Sequence, residues 1–282
     1  MDAERTGVVG AGLMGAEIAF VQALSGREVL LSDTSREKLD AAMERLGTVF
    51  DRGAQRGFWK AEDREATLGR IETTDDLGRF TDREFVTEAV FEAEEVKGRV
   101  FAELDRICPA GCTFASNTST IPITVLASHV AEARRPRFVG MHYFSPVSRM
   151  RLVEVIPGAE TSEETVALAM RLATDTGKTP IRIKDVPGFA VNRLLHVLMI
   201  EAVRLVEEEV ATPEDIDMAC KLGLGHPMGP FELMDATTSS LCLQAQEIMF
   251  DAYGERFRPR PLLKARVRAG YVGGRGRPGW RR

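Results

Sequence analysis

Cysteine and histidine are both scarce in this chain, at four each among 282 residues. Cys108, Cys112, Cys220 and Cys242 include no C-x-x-C pair, and no nearby histidine completes a zinc site with Cys108 and Cys112. That excludes a disulfide scaffold and a zinc module, and predicts reduced, buried thiols in a cytoplasmic protein. Long apolar runs are missing as well: none approaches the roughly 18 residues of a membrane span. The charged start Met1-Asp2-Ala3-Glu4-Arg5 gives no secretory signal. A net charge of −5 argues against a nucleic-acid partner. What remains, 44% apolar and 28% charged, is a globular composition in a chain long enough for two domains.

The organising stretch is Thr6 to Ala19, which holds Gly10-Ala11-Gly12-Leu13-Met14-Gly15, a G-x-G-x-x-G directly after the apolar pair Val8-Val9. Gly10 permits a tight turn, Gly12 leaves room for a pyrophosphate, and Gly15 lets the following helix pack closely on the strand. Leu13 and Met14 complete a turn whose free N–H groups and positive dipole end face the phosphates. Asp33 closes the second apolar run, Val29-Leu30-Leu31-Ser32, eighteen residues past the third glycine. A carboxylate there accepts from a ribose 2′-OH and repels a 2′-phosphate, so the expected cofactor is NAD rather than NADP. The alternative is a glycine turn in an α/β protein that binds no nucleotide.

Short apolar runs then alternate with helical patterns. Strands are expected at 29–32, 70–73, 85–90, 113–116, 138–142, 152–156 and 181–183. Helices are expected from Ser35 to about Arg52, over 94–107 and over 165–176. This alternation predicts a Rossmann-type, doubly wound, mostly parallel sheet over residues 1–185. From 186 to 282 the pattern is helical, with Thr212-Pro213 as an N-cap and first-turn proline. The Arg/Gly-rich tail from Gly273 reads as loosely ordered.

Oxidising an alcohol needs a group to take the hydroxyl proton. His142 ends an apolar strand, and open α/β sheets bind ligands outside the carboxyl ends of their strands. Glu154 sits among apolar neighbours in Leu152-Val153-Glu154-Val155-Ile156, and a buried carboxylate needs a partner. A short Pro-containing connection joins the two strands, so a His142–Glu154 pair fits. A structural histidine and an outward-facing glutamate are the alternatives. Ser116-Asn117-Thr118-Ser119-Thr120 follows another strand, and its amides and hydroxyls suit a carbonyl oxygen or a nicotinamide amide; a helix cap is the plainer reading. Asn192 opens the helical region, either as a cap or at a domain-junction site.

Five stretches together carry a resemblance: GVVGAGLMG at 7–15, SNTST at 116–120, GMHYFSPVSRMRLVEVI at 140–156, GKTPIRIKDVPGFAVNRLL at 177–195 and LGLGHPMGPFELMD at 222–235. The chain resembles the L-3-hydroxyacyl-CoA dehydrogenase (3-hydroxybutyryl-CoA dehydrogenase) family over nearly its whole length. The resemblance implies NAD-dependent interconversion of 3-hydroxyacyl and 3-ketoacyl thioesters in fatty acid metabolism. It implies His142 as general base, Glu154 orienting it, and Ser119 and Asn192 contacting substrate. Glu92 and Lys97 match positions near the nicotinamide ribose, with Asn117, Ser119 and Ser145 on the cofactor side. A helical C-terminal domain that binds substrate and forms a homodimer is also implied. Phe58 stands where relatives often carry lysine to hold the CoA end, which opens acyl-carrier-protein thioesters as a substrate alternative; Phe58 and Trp59 would then offer apolar surface. The tail lacks the family's usual ending, and Arg275 is the substitute for a lysine contact to NAD. A free hydroxy-acid substrate, such as a sugar acid, and a catalytically silent NAD-binding or structural protein are the remaining alternatives.

Overall fold

Among the described residues, eight strands pair into one sheet: β1 (Arg5–Val9), β2 (Glu28–Ser32), β3 (Ile71–Thr74), β4 (Phe85–Glu88), β5 (Thr113–Ser116), β6 (Phe138–Tyr143), β7 (Leu152–Pro157) and β8 (Thr179–Arg182). Their order is β3-β2-β1-β4-β5-β6-β7-β8. The computed structural model describes residues 3–274 and 276–281. The chain divides into two units, Met1–Val186 and Pro187–Arg282, and the sheet belongs to the first. Strands β1 to β6 run parallel, β7 turns back antiparallel on β6, and β8 is parallel to β7. The strand order reverses direction between β1 and β4, which makes their carboxyl ends the switch-point crevice.

Six helices accompany the sheet: α1 (Leu13–Leu24), α2 (Arg36–Gln55), α3 (Arg64–Gly69), α4 (Glu94–Ile107), α5 (Ile123–Ala127) and α6 (Glu163–Asp175). Ser35 caps α2 by accepting from the Lys38 N–H at 3.3 Å, and Ser162 caps α6 through Thr165 at 3.2 Å. Strand β4 stops at Glu88, short of the expected Val90. The Glu88 carboxylate accepts the Val90 N–H at 2.7 Å, which turns the chain out of the sheet. Strand β8 begins two residues earlier than expected.

The segment after α2 corrects an expectation. Trp59 is half-buried rather than open surface. Its ring packs on Phe20 and Phe50 at 5.5 and 5.6 Å, and its Nε1 donates to the Phe50 carbonyl at 2.7 Å. Gly53 makes room for it, since a Cβ there would lie 1.9 Å from the indole. Phe58 alone is exposed, with the Arg149 guanidinium 4.3 Å above its ring.

The second unit comprises α7 (Val191–Glu207), α8 (Pro213–Gly223), α9 (Pro230–Thr237), α10 (Ser239–Tyr253) and α11 (Pro261–Arg268). Thr212 caps α8, with Pro213 in the first turn. Met199, Val203, Phe231, Met234 and Leu263 form its core. The tail joins that core, contrary to the loose order expected of its composition. Trp280 is 5% exposed and stacks on Phe231 at 4.8 Å. The Asp235 carboxylate accepts the Trp280 and Arg281 N–H groups at 2.8 and 3.2 Å. Arg275 lies outside the described residues. Among the described residues, no helix is long and apolar enough to cross a membrane.

His196 on α7 is buried, with its Nδ1 3.8 Å from the Cys242 thiol. Burial pulls its pKa from the ordinary 6.5 down to about 4. Between those values the unfolded chain binds the extra proton. The stability linked to this histidine is therefore complete above pH 6.5 and disappears as the pH falls through about 4. The full difference corresponds to at most about 3 kcal/mol. Denaturant unfolding repeated from neutral pH down to about 4 should show this loss, and His196→Leu should flatten it. An equal slope in the variant would assign the acid sensitivity elsewhere.

Candidate active site

The turn after β1 has the shape a pyrophosphate requires. Gly10 adopts φ +106, and a Cβ on it would meet the Ala89 carbonyl oxygen at 2.6 Å. Gly15 packs so closely that a Cβ would lie 1.8 Å from the Gly10 oxygen, whereas a Cβ on Gly12 would meet nothing within 4 Å. The loop is thus tight on its protein side and open at Gly12. Helix α1 starts at Leu13 with no side-chain cap, which leaves its first-turn N–H groups to an anion. Leu13 is exposed and Met14 half-buried. Asp33 Oδ2 accepts the Ala11 N–H at 2.9 Å, and Oδ1 accepts from the Ser35 N–H at 3.3 Å. The carboxylate therefore anchors the glycine loop at the end of β2. These residues fit a dinucleotide.

A buried network lies on the next strands. Lys97 on α4 is 1% exposed and donates from Nζ to Glu88 Oε1 at 2.7 Å, with Glu92 Oε2 at 3.1 Å. Ser116 donates to Glu88 Oε2 at 2.6 Å. Glu92 Oε1 gathers the Ser119 and Thr120 N–H groups at 2.8 and 3.0 Å and the Thr118 and Ser119 hydroxyls at 2.6 and 3.2 Å. Burial raises the Glu92 carboxyl, but the Lys97 charge and these donors outweigh it and hold the pKa below the ordinary value. Glu92 and Lys97 thus shape the 118–120 loop from within. Glu88, the hub beneath them, carries no signal of its own in the sequence, because it reads as one residue within the expected 85–90 strand.

Asn117 accepts the Tyr143 N–H on its Oδ1 at 2.9 Å and ties the end of β5 to β6 beside His142. His142 and Glu154 are register partners across the antiparallel β6–β7 pair. Alternation along both strands sends the two side chains to one face. His142 Nδ1 lies 2.8 Å from Glu154 Oε2, and the Glu154 side chain is fully buried. An ionised carboxylate only accepts, so the proton resides on Nδ1 and the basic lone pair on Nε2. The Phe144 ring tilts against the imidazole at 4.5 Å. Ser145 is exposed in the connector that follows. This arrangement can accept a proton from a substrate hydroxyl and stabilise the resulting imidazolium. Asn192 is the second residue of α7 and belongs to the other unit. Among the described residues, no group of three or more His, Cys, Asp or Glu side chains is set to hold a metal ion.

Residues 5–186 match the NAD binding domain of 3-hydroxyacyl-CoA dehydrogenase, and residues 188–282 match that enzyme's C-terminal domain. The chain belongs to the 3-hydroxyacyl-CoA dehydrogenase family. A probable 3-hydroxybutyryl-CoA dehydrogenase of Deinococcus radiodurans is 42% identical over 273 residues, covering 95% of each chain. Among solved structures, Mycobacterium tuberculosis FadB2 superposes with a TM-score of 0.95 at 37% identity, over 100% of this chain and 99% of that one. The (S)-3-hydroxybutyryl-CoA dehydrogenase PaaH1 of Ralstonia eutropha gives 0.93 at 35% identity, over 98% of both. This 3-hydroxyacyl-CoA dehydrogenase family member therefore uses NAD, and the protein is an oxidoreductase.

Proposed function

We propose that the protein interconverts 3-hydroxyacyl-CoA and 3-ketoacyl-CoA, with His142 as general base. The observation that carries this is the 2.8 Å His142–Glu154 pair on the sheet that also bears the open glycine loop. When bound, NAD would supply the acceptor for the hydride leaving C3 of the substrate. His142 Nε2 takes the 3-hydroxyl proton, and Glu154 keeps the imidazole oriented and balances its charge. In the reductive direction the imidazolium returns that proton to the ketone oxygen. Ser119 would hold the substrate's carbonyl side; a substrate contact for Asn192 rests on its motif alone. Asp33 would accept from the adenosine ribose, and Gly10, Gly12, Leu13, Met14 and Gly15 would hold the pyrophosphate. Asn117 and Ser145 would serve the nicotinamide side, and Glu92 and Lys97 would act on its ribose through the 118–120 loop they shape.

The relatives' names favour a CoA thioester. A second reading, the same reaction on an acyl-carrier-protein thioester, is favoured by Phe58, which is 49% exposed and stacked under Arg149. The test is NADH oxidation with acetoacetyl-CoA beside the same acyl group on a carrier protein. Faster turnover of the CoA ester supports the first reading, faster turnover of the carrier ester the second, and activity on neither removes both. A homodimer through the second unit is supported by its exposed apolar positions, Leu194, Val210, Leu222 and Leu224; a monomer mass by light scattering would remove it. Four unbridged thiols fit a cytoplasmic location, which fractionation of the native cell would test.

A further inference from the structure

Lys178, just before β8, is a buried cation that the scheme above does not use; it is 8% exposed. Its Nζ donates to the Val147 carbonyl and, at 3.0 Å, to the Met150 carbonyl. Both belong to residues 144–151, the connector from β6 to β7. The same connector gives its Ser148 N–H to Glu17 Oε2 at 2.8 Å. Glu17 lies on α1 and is 4% exposed. A buried ammonium and a buried carboxylate thus grip one loop from two different elements. Burial lowers the Lys178 pKa to about 8, against the opposing pull of Glu17.

Burying such charges costs several kcal/mol, and an apolar side chain of similar volume is often as stable or more so. What these two charges give is a fixed conformation. The connector starts with Phe144, pressed on the His142 imidazole at 4.5 Å, and ends at β7, which carries Glu154. We propose that Lys178 and Glu17 are positioning residues for the acid–base pair: they lock the β6–β7 connector, so that Phe144 holds the His142 ring in line with Glu154. This rests on the reading of His142 as the base.

The experiment is 3-ketoacyl-CoA reduction by Lys178→Met, with kcat, KM, the pH–rate profile, NADH affinity and thermal melting all recorded. The expected result is a fall in kcat of about tenfold with a displaced pH profile, since an ångström of misplacement can cost about 10²-fold. NADH affinity should be unchanged, because the glycine loop has its own anchor in Asp33. Lys178→Gln, which keeps donors for the carbonyls, should recover part of kcat. Glu17→Leu releases the loop from the other side and should reproduce the kinetics if Lys178→Met fails to fold. A folded Lys178→Met or Glu17→Leu enzyme with wild-type kcat and pH profile overturns the proposal. The base assignment fails separately, if replacing His142 itself leaves turnover intact.

Discussion

Replacing His142 with asparagine should lower kcat by about 10²- to 10⁴-fold, the usual range for a general acid–base group. That corresponds to about 3–5 kcal/mol of transition-state stabilisation. Asparagine is preferable to alanine for a structural reason. Alanine would break the 2.8 Å contact to the buried Glu154, and breaking a buried pair by removing one partner destabilises by about 3–5 kcal/mol. The asparagine amide keeps a donor near Nδ1 and removes the basic Nε2. NADH binding, followed by fluorescence, should survive, because the glycine loop is anchored by Asp33 rather than by β6. Glu154→Gln should also depress kcat, since a glutamine amide can present a donor to Nδ1 and favour the wrong tautomer. Undiminished kcat in folded His142→Asn would take His142 out of the mechanism.

Trp280→Ala should destabilise the second unit by about 3–5 kcal/mol, the range for removing a buried aromatic. The substitution also strips Ser239, which is fully buried, of its 2.9 Å bond from the indole N–H. It further removes the ring that packs on Phe231 and beneath the Arg266 guanidinium at 4.5 Å. Domains are commonly stable by only about 5–15 kcal/mol. The loss should appear as an earlier denaturant midpoint by circular dichroism. Trp280→Phe keeps most of the packing and should lose only about 1 kcal/mol, the worth of one hydrogen bond. Unchanged midpoints for Trp280→Ala would mean the tail contributes nothing to that core.

The contrast between these two sites explains what the sequence could reveal. The His142–Glu154 pair was legible because it is local. Two strands with a short connector must turn back on each other, and alternation then fixes which side chains face together. The glycine loop was legible because backbone geometry near a pyrophosphate permits few residue types. Trp280 was not legible, because its neighbours are glycines and arginines and its pocket is assembled from α9, α10 and α11. Trp59 was misjudged for the same reason: an apolar pair after Gly57 does not say which member faces the core. Glu17, Glu88 and Lys178 are single charges in ordinary-looking segments, and only the packed sheet brings their partners together. Asn192 is named by its motif alone, and its element lies in the other unit.

The antiparallel return of β7 has a consequence for how the enzyme assembles. His142 and Glu154 are brought together by a hairpin, across a sequence separation of 12 residues. The glycine loop depends on β1 pairing with β4, where Val9 meets Glu88. Such long-range parallel pairing carries a larger loop-closure penalty and forms more slowly. The His142–Glu154 pair is therefore a product of local folding, and the glycine-loop crevice a product of the whole sheet. In refolding followed by hydrogen exchange, amide protection in β6 and β7 should precede protection in β1 and β4.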